Sequence, residues 1–85
     1  MKRRALRRLK IVEGQVRGLQ KMVDKGEYCI DIITQSLAVK RALSSVEGMV
    51  LENHLSTHVI EQIKSGEESK AIKELLSVYK LSEKK

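Results

Sequence analysis

The sequence predicts an all-α protein, a three-helix protomer with one long central helix. Proline is absent from all 85 residues. Apolar residues recur at spacings of three and four rather than alternating, the period of a helix face. Gly26 and Gly66 fall where the periodic stretches break, as helix stops do.

The first helix is expected from about Arg3 to Asp24. Leu9, Val12, Val16, Leu19 and Val23 form its apolar seam, within an arc of roughly 80° at 100° per residue. Arg3, Arg7, Lys10, Arg17 and Lys21 fall on the opposite side, with Arg4 and Arg8 bordering that basic face. Lys25-Gly26 reads as the stop. The second helix is expected from about Tyr28 to Lys64, with Gly48 as its one interior glycine. A helix of about 35 residues would be some 50 Å long, beyond the dimensions of a compact domain of this size. Its drifting apolar surface (Ile30, Ile33, Leu37, Val39, Leu43, Val46, Val50) cannot be buried by one short partner helix, so several chains must share it. Ser65-Gly66 ends this helix. The third is expected from about Glu68 to Leu81, with Ile72, Leu75, Leu76 and Tyr79 on one side. Ser82, Glu83, Lys84 and Lys85 are expected to fray.

The length fits a single domain, residues 1–85, and a chain this short buries only about 60% of its unfolded surface. One cysteine excludes an internal disulfide framework and, with no signal peptide evident, points to a reducing cytoplasm. Oligomerisation is then the expected source of stability. No apolar run approaches the ~18 residues that span a bilayer, so no membrane partner is expected. With no Phe or Trp and two Tyr, stacking platforms for single-stranded nucleic acid are lacking. Charge is strongly uneven: residues 1–25 carry nine Lys/Arg against two acids, the rest eight against nine. The positive excess lies wholly on the first helix, as in a footprint for a duplex phosphate backbone.

His54 and His58, the only histidines, are four apart on the long helix, so both imidazoles project from one face. Such a pair can ligate a metal; its plainer reading is two solvated surface histidines. Cys29 opens the same helix, 25 residues before His54. A continuous helix would separate them by about 37 Å, whereas ligands lie about 2.0–2.3 Å from their ion. A Cys/His/His site therefore needs a second chain, and two antiparallel copies would form two equivalent sites. The plainer reading of Cys29 is a small buried hydrophobe. A thiol-nucleophile enzyme is disfavoured, because no Gly-rich oxyanion loop or cleft-forming sheet is evident.

Three stretches carry a family resemblance between Leu6 and Leu76. These are Arg8-Leu9-Lys10 leading into Glu13-Gly14-Gln15-Val16-Arg17-Gly18-Leu19, Tyr28-Cys29-Ile30-Asp31 followed by Gln35 and Ala38-Val39, and Asn53-His54-Leu55 with His58. In order and spacing they resemble the small bacterial copper-sensing and nickel/cobalt-sensing repressors (the CsoR/RcnR family). The resemblance implies an antiparallel dimer assembling into a tetramer, without a helix-turn-helix. It implies Cys29 as the thiolate from one subunit and His54 and His58 as ligands from the other. It further implies that Tyr28 and Glu74 connect the liganding histidine to the third helix, Glu74 accepting a hydrogen bond from the His54 ring nitrogen not bound to metal.

One position departs from the copper sensors, many of which have cysteine where His58 stands. One thiolate and two imidazoles leave Cu(I) the first choice, with Zn(II), Ni(II) or Co(II) the alternatives. Nickel/cobalt sensors recruit a further N-terminal histidine, and none precedes His54 here. Formaldehyde sensors of this scaffold use an N-terminal proline and persulfide sensors a second cysteine; both are missing. The expected function is repression: the metal-free tetramer binds double-stranded operator DNA and the metal releases it. Arg4, Arg8, Lys10 and Arg17 are the expected phosphate contacts, with Lys40 and Arg41 of the long helix adding to them. The competing readings are a constitutive basic architectural protein and a coiled-coil interaction protein.

Overall fold

The computed structural model describes residues 1–83. Helix α1 spans Lys2–Asp24, α2 Cys29–His54, a π turn Leu55–Val59, α3 Ile60–Lys64 and α4 Glu68–Glu83. Among the described residues there is no strand. The three expected helical segments are present, and the second carries an irregularity that its apolar period does not announce. The third runs two residues past Leu81, because Ser82 and Glu83 continue the turn and Ser82 Oγ donates to the Tyr79 carbonyl at 2.7 Å. The expected fraying therefore does not begin at Ser82; Lys84 and Lys85 lie outside the described residues.

Both glycine stops work as their chemistry requires. Gly26 takes φ +66° and Gly66 φ +79°, the left-handed region open to a residue without Cβ. After α1, the Gly26 N–H donates to the Val23 carbonyl and the Glu27 N–H to that of Met22, each at 3.0 Å. After α3 the same pair of bonds runs from Gly66 to Ile63 at 3.2 Å and from Glu67 to Gln62 at 2.7 Å. Each chain reversal thus satisfies carbonyls that a helix end would leave orphaned. Neither glycine would meet steric obstruction at an added Cβ. Backbone dihedral, not space, selects the residue.

The chain divides into two compact units, Met1–Leu51 and Glu52–Lys85. In the first, Arg8 Nη1 donates to Ser45 Oγ at 2.7 Å, joining α1 to α2. The two residues lie 18 and 19 residues from Gly26 on either side of the turn, so the helices pair as an antiparallel hairpin. Its buried residues are small: Ala5 and Val12 on α1, Val39 and Val46 on α2, each pair one heptad apart. Of the expected α1 seam, Val12 is buried and Leu19 half-buried, while Leu9, Val16 and Val23 remain exposed. In the second unit, Ala71 is buried and Leu75 half-buried, leaving Ile72, Leu76 and Tyr79 exposed. Within one chain, α4 thus turns a face of smaller residues inward than the sequence suggests.

The uncovered apolar surface is extensive. Ile30, Ile33, Leu37, Leu43 and Val50 along α2 are all exposed, and so are Val78 and Leu81 on α4. Monomeric proteins rarely leave such continuous faces in water.

Candidate metal centre

The histidine pair sits where the helix changes pitch. His54 is the last residue of α2 and half-buried; His58 lies in the π turn and is exposed. A π turn pairs each N–H with the carbonyl five residues back, shifting the hydrogen-bond ladder by one, and such turns recur at functional sites. Two hydroxyls serve carbonyls there: Ser56 Oγ donates to Glu52 O at 2.8 Å and Thr57 Oγ1 to Asn53 O at 2.7 Å. The local sequence Leu-Ser-Thr-His-Val supplies those hydroxyls one turn after the carbonyls they reach.

The rings of His54 and His58 have centroids 5.3 Å apart and planes inclined by 33°. Two imidazoles bound through nitrogen to one ion at about 2.0–2.1 Å have ring centres about 5 Å apart. The spacing admits two bonds to one ion, and it is also the ordinary separation of side chains four apart on a helix. Cys29, the first residue of α2, is exposed, so its reading as a buried hydrophobe does not hold in this chain. Its neighbour Tyr28 is also exposed, and the Tyr28 carbonyl accepts the Asp31 and Ile32 N–H groups at 3.0 and 3.2 Å, opening the helix. Among the described residues, no three His, Cys, Asp or Glu side chains gather within the chain.

Glu74, on α4, is exposed, and its Oε1 accepts a hydrogen bond from Gln62 Nε2 at 3.0 Å. Among the described residues Glu74 makes no hydrogen bond to His54. Gln62 was not singled out by residue type, although His54, His58 and Gln62 form a series at intervals of four. That interval was the available signal.

The basic candidates are all exposed: Arg4, Arg8, Lys10 and Arg17 on α1, Lys40 and Arg41 on α2. Arg8 is drawn to the seam by Ser45. Arg17 lies 3.7 Å from Glu13, one turn earlier, with both side chains more than two-thirds exposed. Such a pair contributes little and is readily exchanged for a phosphate.

A model of metal-sensitive transcriptional repressors matches residues 1–80. The chain belongs to that family. The repressor is 49% identical over 73 residues to the copper-sensing transcriptional repressor CsoR of Bacillus subtilis, covering 86% of this chain and 72% of that protein. It is 47% identical over 60 residues to the copper-sensing repressor RicR of Mycobacterium tuberculosis, covering 71% of this chain but only 62% of RicR. Its fold superposes with a TM-score of 0.89 on the crystal structure of the copper-sensing repressor CsoR with Cu(I) from Geobacillus thermodenitrificans, at 41% identity, covering 96% of this chain and 85% of that one. The all-α class is thereby shared, and the chain is a regulator, not an enzyme. No helix among the described residues is long and apolar enough to cross a membrane.

Proposed function

We propose that the repressor is a copper sensor that binds operator DNA when metal-free and releases it when Cu(I) is held by Cys29 of one protomer and His54 and His58 of its partner. The observation that carries this reading is the pair of imidazoles 5.3 Å apart on one helix face, in a chain 41% identical to a Cu(I)-bound CsoR. The thiolate and two imidazoles form a donor set suited to Cu(I), and Zn(II) is its main competitor. When bound, the metal supplies attraction that draws the two subunits' ligands to one point. The site is assigned across two chains on the 25-residue separation of Cys29 and His54 in sequence. The lack of any three-ligand cluster among the described residues agrees with that assignment. Assembly as an antiparallel dimer and then a tetramer is supported by the exposed apolar faces of α2 and α4. The single-domain reading rests on one family model matching residues 1–80, and the cytoplasmic reading on that family's role in transcription.

The residues do the rest. Exposed cations of α1, with Lys40 and Arg41, neutralise phosphates and release counterions, so the grip on duplex DNA is electrostatic. In this reading Tyr28, beside Cys29, and Glu74, hydrogen-bonded to Gln62, pass a change at the ligands to the neighbouring helices. Coupling is reciprocal: a metal that weakens DNA binding by some factor is itself bound more weakly on DNA by that factor. The test is a titration of duplex operator with apo protein, repeated with one Cu(I) equivalent per protomer. Release on addition of Cu(I) supports the sensor; equal affinity in both states refutes it and leaves the constitutive architectural protein.

A further inference from the structure

We propose that Gln62 is a positioning residue linking the imidazole face to α4, a role that rests on the copper-sensor reading. Its amide is one helical turn beyond His58, and one face of it is already engaged, Nε2 donating to Glu74 Oε1 at 3.0 Å. That orientation is fixed by chemistry, since the reversed amide would set an oxygen against a carboxylate. The other face is the informative one. Gln62 Oε1 is buried and has no hydrogen-bond partner. Buried amide oxygens are rarely left so, and each calls for a donor.

Three donor-bearing side chains share a shallow cleft with Gln62, namely Ser65, His58 and Lys70, and the Ser65 hydroxyl is already committed to the Glu61 and Gln62 carbonyls. Lys70 is a flexible, exposed cation at the cleft's edge. The His58 ring is carried on the turn directly before Gln62, and a neutral imidazole has one N–H to give and one lone pair to keep. With its N–H directed to Gln62 Oε1, His58 is held in one tautomer with the opposite nitrogen available for metal. The same amide holds Glu74, whose second carboxylate oxygen has no hydrogen-bond partner among the described residues. Gln62 thus presents one oxygen to His58 while aiming the Glu74 carboxylate. Removal of such outer partners lowers metal affinity about 10- to 100-fold in other proteins.

The test compares wild type with Gln62→Leu, Gln62→Glu and the double exchange Gln62→Glu/Glu74→Gln. Imidazole tautomers are read from nitrogen-15 NMR of the apo protein, and Cu(I) affinity from competition with a chelator. We expect one dominant His58 tautomer in the wild type and a mixture in Gln62→Leu, with Cu(I) affinity reduced at least tenfold. Gln62→Glu sets two carboxylates against each other, and the double exchange restores the bond with reversed polarity, recovering both readouts. An unchanged His58 tautomer in Gln62→Leu, or no recovery in the double exchange, overturns the proposal. If Gln62→Leu does not fold, the double exchange decides alone. Wild-type protein that takes up no Cu(I) would refute the sensor reading, while the tautomer measurement would still judge the Gln62 link.

Discussion

Arg8 Nη1 donates to Ser45 Oγ across 2.7 Å, tying α1 to α2 toward the end of their hairpin remote from the Gly26 turn. Arg8 therefore differs from Arg4, one turn before it, which makes no side-chain hydrogen bond to α2 among the described residues. Arg4→Ala should weaken duplex binding and lower the slope of log affinity against log salt by about one, with thermal stability unchanged. Arg8→Ala should lower both DNA affinity and stability, the latter by about 0.5–1.5 kcal/mol for one lost hydrogen bond. Fluorescence anisotropy at several salt concentrations, beside thermal melts, separates the two. Equal melting temperatures for both variants would show the Ser45 contact to be inert.

A site shared between chains can be rebuilt from two broken ones. Cys29→Ala and the double variant His54→Ala/His58→Ala should each lose the Cu(I) response and keep apo DNA binding, since Cys29 and His58 are exposed and contribute no core. Co-refolded as a mixture, they should regain Cu(I) uptake, because each mixed dimer holds one intact thiolate and one intact imidazole pair facing each other. A site formed within one chain would recover nothing. Metal retention after gel filtration of the mixture gives the answer.

Most of the fold was legible because its signals are local. Gly26 and Gly66 mark their stops through a dihedral that other residues resist, and the 3.6-residue period needs no partner to be seen. The π turn at Leu55–Val59 was hidden for the opposite reason. Its identity lies in which carbonyl each N–H chooses, and Ser56 and Thr57 look like ordinary solvent-facing helix residues until their hydroxyls are located. The side of α4 that meets its own chain was not legible, because Ala71, which is buried, carries less apolar weight than Ile72 or Leu76, which are exposed. Period finds a stripe; it cannot tell which half of a broad stripe meets the same chain and which awaits another.

In the proposed site, the softness of the donor set depends on His58. His58→Cys would give two thiolates and one imidazole, and sulfur favours Cu(I) over Zn(II) more strongly than nitrogen does. The ratio of Cu(I) to Zn(II) affinity should rise at least tenfold, measured with separate competitors under anaerobic conditions. Because thiolates and neutral imidazoles both compete with protons, affinity for either metal should fall as pH falls in both proteins. An unchanged ratio would mean that His58 is not a ligand.

The first reversal depends on one dihedral. Gly26→Ala puts a Cβ on a residue at φ +66°, with no neighbour to clash, so the whole penalty is backbone. The expected loss is about 1–2 kcal/mol, and Gly26→Asn should lose less because Asn tolerates the left-handed region. Urea unfolding at fixed protein concentration measures both. Equal losses would point to a contact rather than to φ.

Assembly and stability should prove inseparable. The buried residues of the hairpin are four alanine and valine side chains, while Ile33 on α2 is 55% exposed and Leu37 46%. Four small residues cannot offset the ordering of helices this long, so apolar surface must leave water by association. Ile33→Asp makes the point sharply. In a monomer, a charge at a half-exposed helix position would alter stability by no more than about 0.5 kcal/mol. In an oligomer, the same carboxylate is buried unpaired in a subunit interface and should raise the dissociation constant by orders of magnitude. Sedimentation equilibrium should therefore show dissociation of the variant at concentrations where the wild type is assembled. Its melting temperature should also rise steeply with concentration, as mass action requires of a chain folded only in company. A variant that melts like the wild type at every concentration would place Ile33 in solvent and move the interface to another face of α2.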